Sequence, residues 1–267
     1  MIHLLPIPVC IAIALMVEFF RQALRNYRIV QAQLAAYRRG DYEGQLKIVE
    51  GFRVRGSQPR HYLFFHGSAS YQIGRLQEAE QALGRSLAME KNRLLRTLCR
   101  DELGRVLMEQ GRRDDAAACF RECMEESPHR GGCHRSMAEL LLRTGQNPAA
   151  ALDAARRAVD DDRTTKVPAG QLGREDHDLS LAESLAVLAW AMARTDASSP
   201  EVDIVLGQAL SVCPASVKPV LAEIHYFAGR AYEELGDDAG RLRHLRAAAD
   251  QDPIGNYGRL ALTAIVK

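Results

Sequence analysis

Small and apolar residues recur along this chain at spacings of three and four positions, which is the pattern of amphipathic helices. The stretch 97–130 shows this pattern most clearly. Its first half carries Leu103, Gly104 and Leu107, and its second half carries Ala116, Phe120 and Cys123. Gly111 separates the halves and suits the end of a helix, because glycine adopts the left-handed conformation at little cost. Pro128 follows the second half, so the stretch predicts two helices joined by a tight turn.

The same arrangement recurs around other glycines. The predicted turn glycines are Gly40, Gly74, Gly111, Gly145 and Gly236. With each glycine at the same place, the units cover residues 26–59, 60–93, 97–130, 131–164 and 222–255. A sixth, degenerate unit fits residues 183–216, with Ala197 at the glycine position. One helix pair cannot bury its own apolar face, so we expect the units to stack into one array.

These units resemble the tetratricopeptide repeat, a helix–turn–helix unit of about 34 residues. The matching residues are Leu63, Gly67, Tyr71, Ala79, Leu83 and Ser86 in one unit, Leu103, Gly104, Leu107, Ala116, Phe120, Cys123 and Pro128 in the next, and Ala228, Gly229, Tyr232, Leu245, Ala248 and Pro253 in the last. The resemblance implies an all-α fold, a right-handed α-solenoid of about five to six repeats with an apolar N-terminal helix and a C-terminal capping helix. The chain departs from the pattern at Gln33 and Gln45, where small residues are expected, and at Arg241, where alanine is expected.

Composition shifts divide the chain further. Pro168, Gly170 and Gly173 stand among polar residues and indicate a loop. The predicted divisions are an apolar segment at 1–20, a four-repeat block at 26–164, a polar loop or linker at 165–180, a two-repeat block at 181–255 and a capping helix at 256–267.

The N-terminal segment is apolar and uncharged from Ile2 to Val17. A helix running to Phe20 would be about 28 Å long, close to the thickness of a hydrocarbon core. Arg21 and Arg25 follow it, and basic flanks stay on the cytoplasmic side of a membrane. The sequence thus predicts a membrane anchor with the repeats facing the cytoplasm. The alternatives are a leading helix packed on the first repeat or at a partner interface, in a soluble cytoplasmic protein.

Charge and motifs exclude several functions. The formal net charge is +1, and acidic and basic residues alternate throughout, whereas a nucleic-acid groove needs a stripe of positive charge. Hydrophobic residues make up 47% of the chain, and good helix formers such as alanine and leucine dominate. None of the common catalytic or phosphate-binding motifs occurs. We therefore expect a non-enzymatic protein without cofactor, metal or nucleic-acid partner.

Six cysteines occur without disulfide-like spacing, which favours buried free thiols in a reducing compartment. The densest cluster comprises Cys119, Cys123, His129, Cys133 and His134. The first alternative function is a metal-binding, regulatory or hydrolytic protein that uses this Cys119–His134 cluster or the 163–180 loop. The second is a self-assembling protein whose concave face takes a neighbour's terminal segment.

The family's usual work is to bind segments of other proteins in the concave groove lined by the first helix of each repeat. By correspondence, the groove residues are Tyr27, Val30, Leu34, Tyr37, His61, Phe64, Ser68, Tyr71, Asp101, Arg105, Met108, Arg135, Glu139, Tyr226, Arg230 and Glu233. This lining is aromatic and apolar at its N-terminal end and charged farther on. A protein segment with an apolar anchor beside charged residues would suit it.

Overall fold

The computed structural model describes residues 27–54, 59–165 and 171–266, and every regular element in those ranges is an α helix. The helices are α1 over 27–38, α2 Tyr42–Val54, α3 Pro59–Gln72, α4 Leu76–Met89, α5 Arg93–Glu109, α6 Arg113–Glu126, α7 Gly131–Thr144, α8 Pro148–Thr164, α9 Gln171–Arg194, α10 Ser199–Val212, α11 Lys218–Glu234, α12 Asp238–Gln251 and α13 Asn256–Val266. The predicted anchor at 1–20 lies outside the described residues. None of the described helices is long and apolar enough to cross a membrane.

Consecutive helices pair into hairpins at the predicted glycines. Gly40, Gly74, Gly111, Gly145 and Gly236 all have positive φ, between 68° and 79°. In the degenerate unit the left-handed residue is Asp196, with φ 69°, one position before the expected Ala197. Aspartate tolerates this conformation better than most residues, so the turn forms without glycine.

Close approach within a hairpin depends on a glycine in the first helix facing a large side chain in the second. A Cβ on Gly67 would lie 2.6 Å from Leu83 Cγ, and one on Gly229 would lie 2.8 Å from Leu245 Cγ. A Cβ on Gly104 would overlap the buried ring of Phe120. This confirms the predicted alternation of small and large residues as the contact between paired helices.

The first hairpin accommodates its two unusual glutamines by pairing them. Gln33 Nε2 donates to the Gln45 carbonyl oxygen at 2.9 Å, and Gln45 Nε2 donates to the Gln33 carbonyl oxygen at 3.2 Å. Both residues are buried. Each amide nitrogen thus bonds the other residue's carbonyl, whereas both Oε1 atoms are buried without a partner, so the pair takes the place of the expected small residues at a cost.

The stack continues across the predicted 165–180 loop. Residues 171–180 are helical and form the start of α9, which packs on α7 and α8. Ser180 and Ser184 donate from Oγ to the two carboxylate oxygens of Asp162, at 3.0 and 2.7 Å. These bonds join α9 to the end of α8. Trp190, farther along α9, is fully buried in the core.

Candidate protein-binding groove

The predicted groove residues fall into an open group and a closed group. At the N-terminal end, Tyr27 is 58% exposed and Val30 is 36% exposed. The half-buried members are Leu34, Tyr37, Phe64, Ser68 and Arg230, and Glu233 is exposed. The buried members are Tyr71, Asp101, Arg105, Met108, Arg135, Glu139 and Tyr226. The side chain of His61 lies outside the described residues. The middle of the predicted groove is therefore enclosed in this structure.

Three members of the closed group, Tyr71, Glu139 and Tyr226, contact the chain's own C-terminal part, residues 252–259, which we call the closing segment. Its Asn256 contacts two of the first helices. The Asn256 backbone N–H donates to Gln72 Oε1 at 3.2 Å. The side-chain amide donates to the Tyr71 hydroxyl at 2.8 Å and to Glu109 Oε1 at 3.4 Å. One residue of the closing segment thus joins α3 to α5.

Tyr257 extends this contact to the fourth and last repeats. Its hydroxyl donates to Glu139 Oε2 at 3.1 Å, and Glu139 is fully buried. Its ring lies 5.5 Å from the Tyr226 ring and 5.2 Å from the Phe227 ring, centroid to centroid. The predicted capping helix α13 therefore covers the last repeat and also fills the groove of the earlier ones.

The first two turns accept the closing segment because they carry glycine. Tyr42 donates from its hydroxyl to the Asp252 carboxylate, and a Cβ on Gly40 would lie 3.0 Å from Asp252 Oδ1. The Arg259 guanidinium lies against Gly74 so closely that a Cβ there would overlap it. These glycines provide the tight turn and also the room for a contact across the groove.

Buried charges fill the centre of the groove. Arg135 pairs with Glu183 at 2.6 Å, and Arg143 pairs with Glu139 at 2.6 Å. Arg105, on α5, lies 3.9 Å from Glu223, on α11. The Arg105–Glu223 contact joins the third repeat to the last one, so opposite walls of the solenoid meet here.

Burial and neighbouring carboxylates raise the pKa values of two carboxyl groups in this centre. Burial, with the carboxylate of Glu183 adding to it, raises the pKa of Glu223 well above its ordinary value. Burial likewise raises the pKa of Glu102 to about 7. The cause is that a carboxylate loses hydration when it is enclosed, which favours the neutral form.

These shifts predict a stability that falls as pH rises. Between the ordinary carboxyl pKa of about 4.3 and the raised values, the folded chain binds more protons than the unfolded chain, so the free energy of unfolding decreases with pH. We expect these carboxyl groups to contribute a loss of order 1–3 kcal/mol between pH 5 and pH 8, measured by urea unfolding. His225 and His244 oppose it, because burial lowers their pKa values, so the Glu223 variant isolates the carboxyl part. Glu223→Gln should flatten the curve and raise stability at pH 8. If the free energy of unfolding of Glu223→Gln changed with pH as it does in the wild-type chain, Glu223 would not be the cause of the pH dependence.

The sequence missed Asp252, Asn256 and Tyr257 as groove residues. The available signal was a polar Asn–Tyr pair at the start of a helix that is otherwise apolar. Glu109 and Gln72 were also missed, because each follows the last groove position considered on its helix.

The cysteine expectation is corrected by a disulfide between Cys123 and Cys133, whose Cα atoms lie 5.9 Å apart. The end of α6 packs against the start of α7, which brings the two sulfurs together. Cys99, Cys119 and Cys213 are free. His134 Nε2 lies 3.2 Å from the Pro128 carbonyl oxygen. Across the described ranges, no group of three or more histidine, cysteine or acidic side chains could hold a metal ion.

Stacked hairpins with left-handed turns and an inward-facing first helix define an α-solenoid of the tetratricopeptide type. Residues 102–165 match the family model described as tetratricopeptide repeat. None of the curated proteins matches the chain significantly.

Several solved structures are similar to this chain. BtubC (BKLC) from P. vanneervenii is 13% identical, over 84% of this chain and 90% of that one, with a TM-score of 0.48. A tetratricopeptide repeat protein from Parabacteroides merdae is 12% identical, over 90% and 96%, with a TM-score of 0.41. YrrB, described as a TPR protein with an unusual peptide-binding site, is 17% identical, over 84% and 92%, with a TM-score of 0.35.

Proposed function

We propose that this protein is a non-enzymatic interaction scaffold that binds a segment of a partner protein on its concave face. Tetratricopeptide proteins generally mediate protein–protein interaction, and the described residues offer no metal-binding cluster for a catalytic alternative. The observation that carries the proposal is the open end of the groove, where Tyr27 and Val30 present large apolar side chains to solvent. Exposed apolar side chains on a concave surface are typical of an interaction site.

The open end has a defined composition. We call Tyr27, Val30, Leu34, Phe64 and Ser68 the groove mouth. Aromatic and branched apolar side chains there would hold an apolar anchor of the partner, while the charged centre lies deeper. This division between an apolar mouth and a charged centre supports a partner segment whose apolar anchor binds at the first repeat.

We further propose that this binding takes place at a membrane. The support is the uncharged stretch from Ile2 to Val17 and the basic residues after it. Such a stretch would attach the chain by its N-terminus and leave the repeats on the cytoplasmic side. Fractionation of cells followed by protease treatment of intact membranes tests the attachment and the orientation together.

Partner binding at the mouth is tested with two full-length variants. Val30→Glu places a charge among the apolar side chains of the mouth. Ile204→Glu is the matched control, because Ile204 is 62% exposed on α10, a second helix of its hairpin. We expect a partner isolated with the wild-type chain to bind Val30→Glu at least tenfold more weakly, about 1.4 kcal/mol, and to bind Ile204→Glu unchanged.

The readout is the dissociation constant of the purified pair. Equal binding to Val30→Glu and to the wild-type chain would place the interface away from the mouth. Equal weakening by both glutamate substitutions would indicate a nonspecific effect of charge, and either result contradicts the proposal.

A further inference from the structure

We propose that the closed part of the groove is a recognition site for a partner segment of the form Asp-x-x-Gly-Asn-Tyr-Gly, and that residues 252–258 are its built-in occupant. A partner that carries the same groups would displace the closing segment. This inference rests on the proposed function, because it names the chemistry of the segment that the concave face binds.

The hydrogen bonds have a consistent polarity that defines the occupant. Every groove atom that forms a hydrogen bond with Asn256 or Tyr257 is an acceptor: Gln72 Oε1, the Tyr71 hydroxyl oxygen, Glu109 Oε1 and Glu139 Oε2. Every donor belongs to the closing segment. Arg143 already pairs with Glu109 at 2.7 Å and with Glu139 Oε1 at 2.6 Å. A carboxamide and a hydroxyl in the occupant therefore match the acceptors that remain, the Tyr71 hydroxyl and Glu139 Oε2.

The first residue of the occupant must accept a hydrogen bond instead of donating one. Tyr42 donates its hydroxyl proton to the Asp252 carboxylate, four positions before Asn256. Both residues are buried, so an apolar replacement for Asp252 would leave the Tyr42 hydroxyl without its acceptor. The site thus requires an acidic first residue in the occupant and hydrogen-bond donors at its fifth and sixth residues.

Glycines complete the motif because the segment folds tightly on itself. A Cβ on Gly255 would overlap the Asp252 carboxylate and lie 2.7 Å from the Tyr42 hydroxyl. A Cβ on Gly258 would overlap the Asp252 carbonyl oxygen. Side chains at these two places are therefore excluded, which makes the motif more specific than an Asn–Tyr pair alone.

The closing segment competes as an attached ligand. It follows α12 directly in the chain, and its contacts with the earlier repeats are made largely by side chains. A short tether gives an effective concentration of order 1 mM, so a free segment of equal affinity competes poorly. The groove should accept a partner only when the closing segment is weakened or the partner binds more tightly.

The test uses full-length chains and a fluorescein-labelled peptide of residues 250–266 as the probe, with binding followed by fluorescence anisotropy. Asn256→Ala weakens the closing segment, and Tyr257→Phe does so more conservatively by removing one hydroxyl. Leu262→Ala is the matched control on the same helix, since Leu262 is 47% exposed. A double variant, Asn256→Ala with Glu139→Gln, weakens the groove as well. Circular dichroism confirms that each variant is folded.

We expect the peptide to bind the Asn256→Ala chain at least tenfold more tightly than it binds the wild-type chain or Leu262→Ala. Adding Glu139→Gln should lower that affinity by about tenfold, as should replacing asparagine by alanine in the peptide. Tyr257→Phe should fall between the wild-type chain and Asn256→Ala. Equal affinity for all chains, or indifference to the peptide's asparagine, would overturn the proposal.

Two further results separate this inference from the proposed function. If the Asn256→Ala chain forms a concentration-dependent dimer by light scattering and excludes the peptide, a second copy occupies the groove and the partner assignment is wrong. If a partner binds at the mouth while the peptide binds no chain, the proposed function stands and this inference fails. If the peptide binds as expected but no partner is sensitive to Val30→Glu, this inference is supported and partner binding at the groove mouth is contradicted.

Discussion

Arg105→Met is expected to lower the free energy of unfolding by about 3–5 kcal/mol, because it leaves buried carboxylates without their cation. Arg105 is 7% exposed and lies 3.9 Å from both Asp101 and Glu223. Methionine retains most of the volume of the side chain, so the loss reports charge and not a cavity. Urea unfolding at pH 9, above the raised pKa of the Glu223 carboxyl, measures the effect.

The matched control is Arg112→Met, on the surface. Arg112 makes shorter ion pairs, at 2.6 Å to Glu80 and 2.8 Å to Asp115, but its side chain is 47% exposed. Solvent screens such pairs, so no measurable change in stability is expected. A second control adds Glu223→Gln to Arg105→Met and should recover part of the loss. If the double variant is no more stable than Arg105→Met, the loss does not come from the unpaired carboxylate.

Gly258→Ala is expected to lower the free energy of unfolding by about 3 kcal/mol, at the upper end of overpacking effects. The added methyl would overlap the Asp252 carbonyl oxygen, which is backbone and cannot move aside as a side chain would. The substitution should also release the closing segment and increase binding of the 250–266 peptide. Urea unfolding and anisotropy measure the two consequences.

Gly207→Ala is the control for Gly258→Ala. Gly207 lies within α10, is exposed, and has no heavy atom within 4 Å of the position a Cβ would take. Alanine there should raise the free energy of unfolding by about 1 kcal/mol, since it favours the helix. If Gly258→Ala were as stable as the wild-type chain, the close packing between α13 and the turn before it would be refuted.

A closed groove changes what the scaffold offers to a partner. The N-terminal mouth, with Tyr27 and Val30 exposed, is open at once, whereas the charged centre is reached only when Asn256 and Tyr257 leave. Binding at the centre is therefore conditional on the closing segment, and binding at the mouth is not. The two sets of variants described above separate these modes.

Local features of the fold were predictable because they depend on neighbours in sequence. Gly104 and Phe120 are only 16 positions apart, and a glycine facing a large ring within one hairpin leaves a clear pattern. The turn of the degenerate unit was predicted one position late, at Ala197 instead of Asp196, and the helical start of α9 was not predicted. Asp196 carries no glycine signal. His177 and Ser180, near the start of α9, contact Asp162, which only the neighbouring helix supplies.

The groove was predicted as a set of positions but not as a closed surface. The sequence by itself determined the helices, the glycine turns and the inward face that holds Arg105 and Glu139, because these follow from periodicity. Only the tertiary structure decided that Asn256 meets Tyr71, 185 positions away, and that Cys123 is bonded to Cys133. The physical reason is that small rotations between repeats add up along the solenoid, and their sum decides whether its two ends meet.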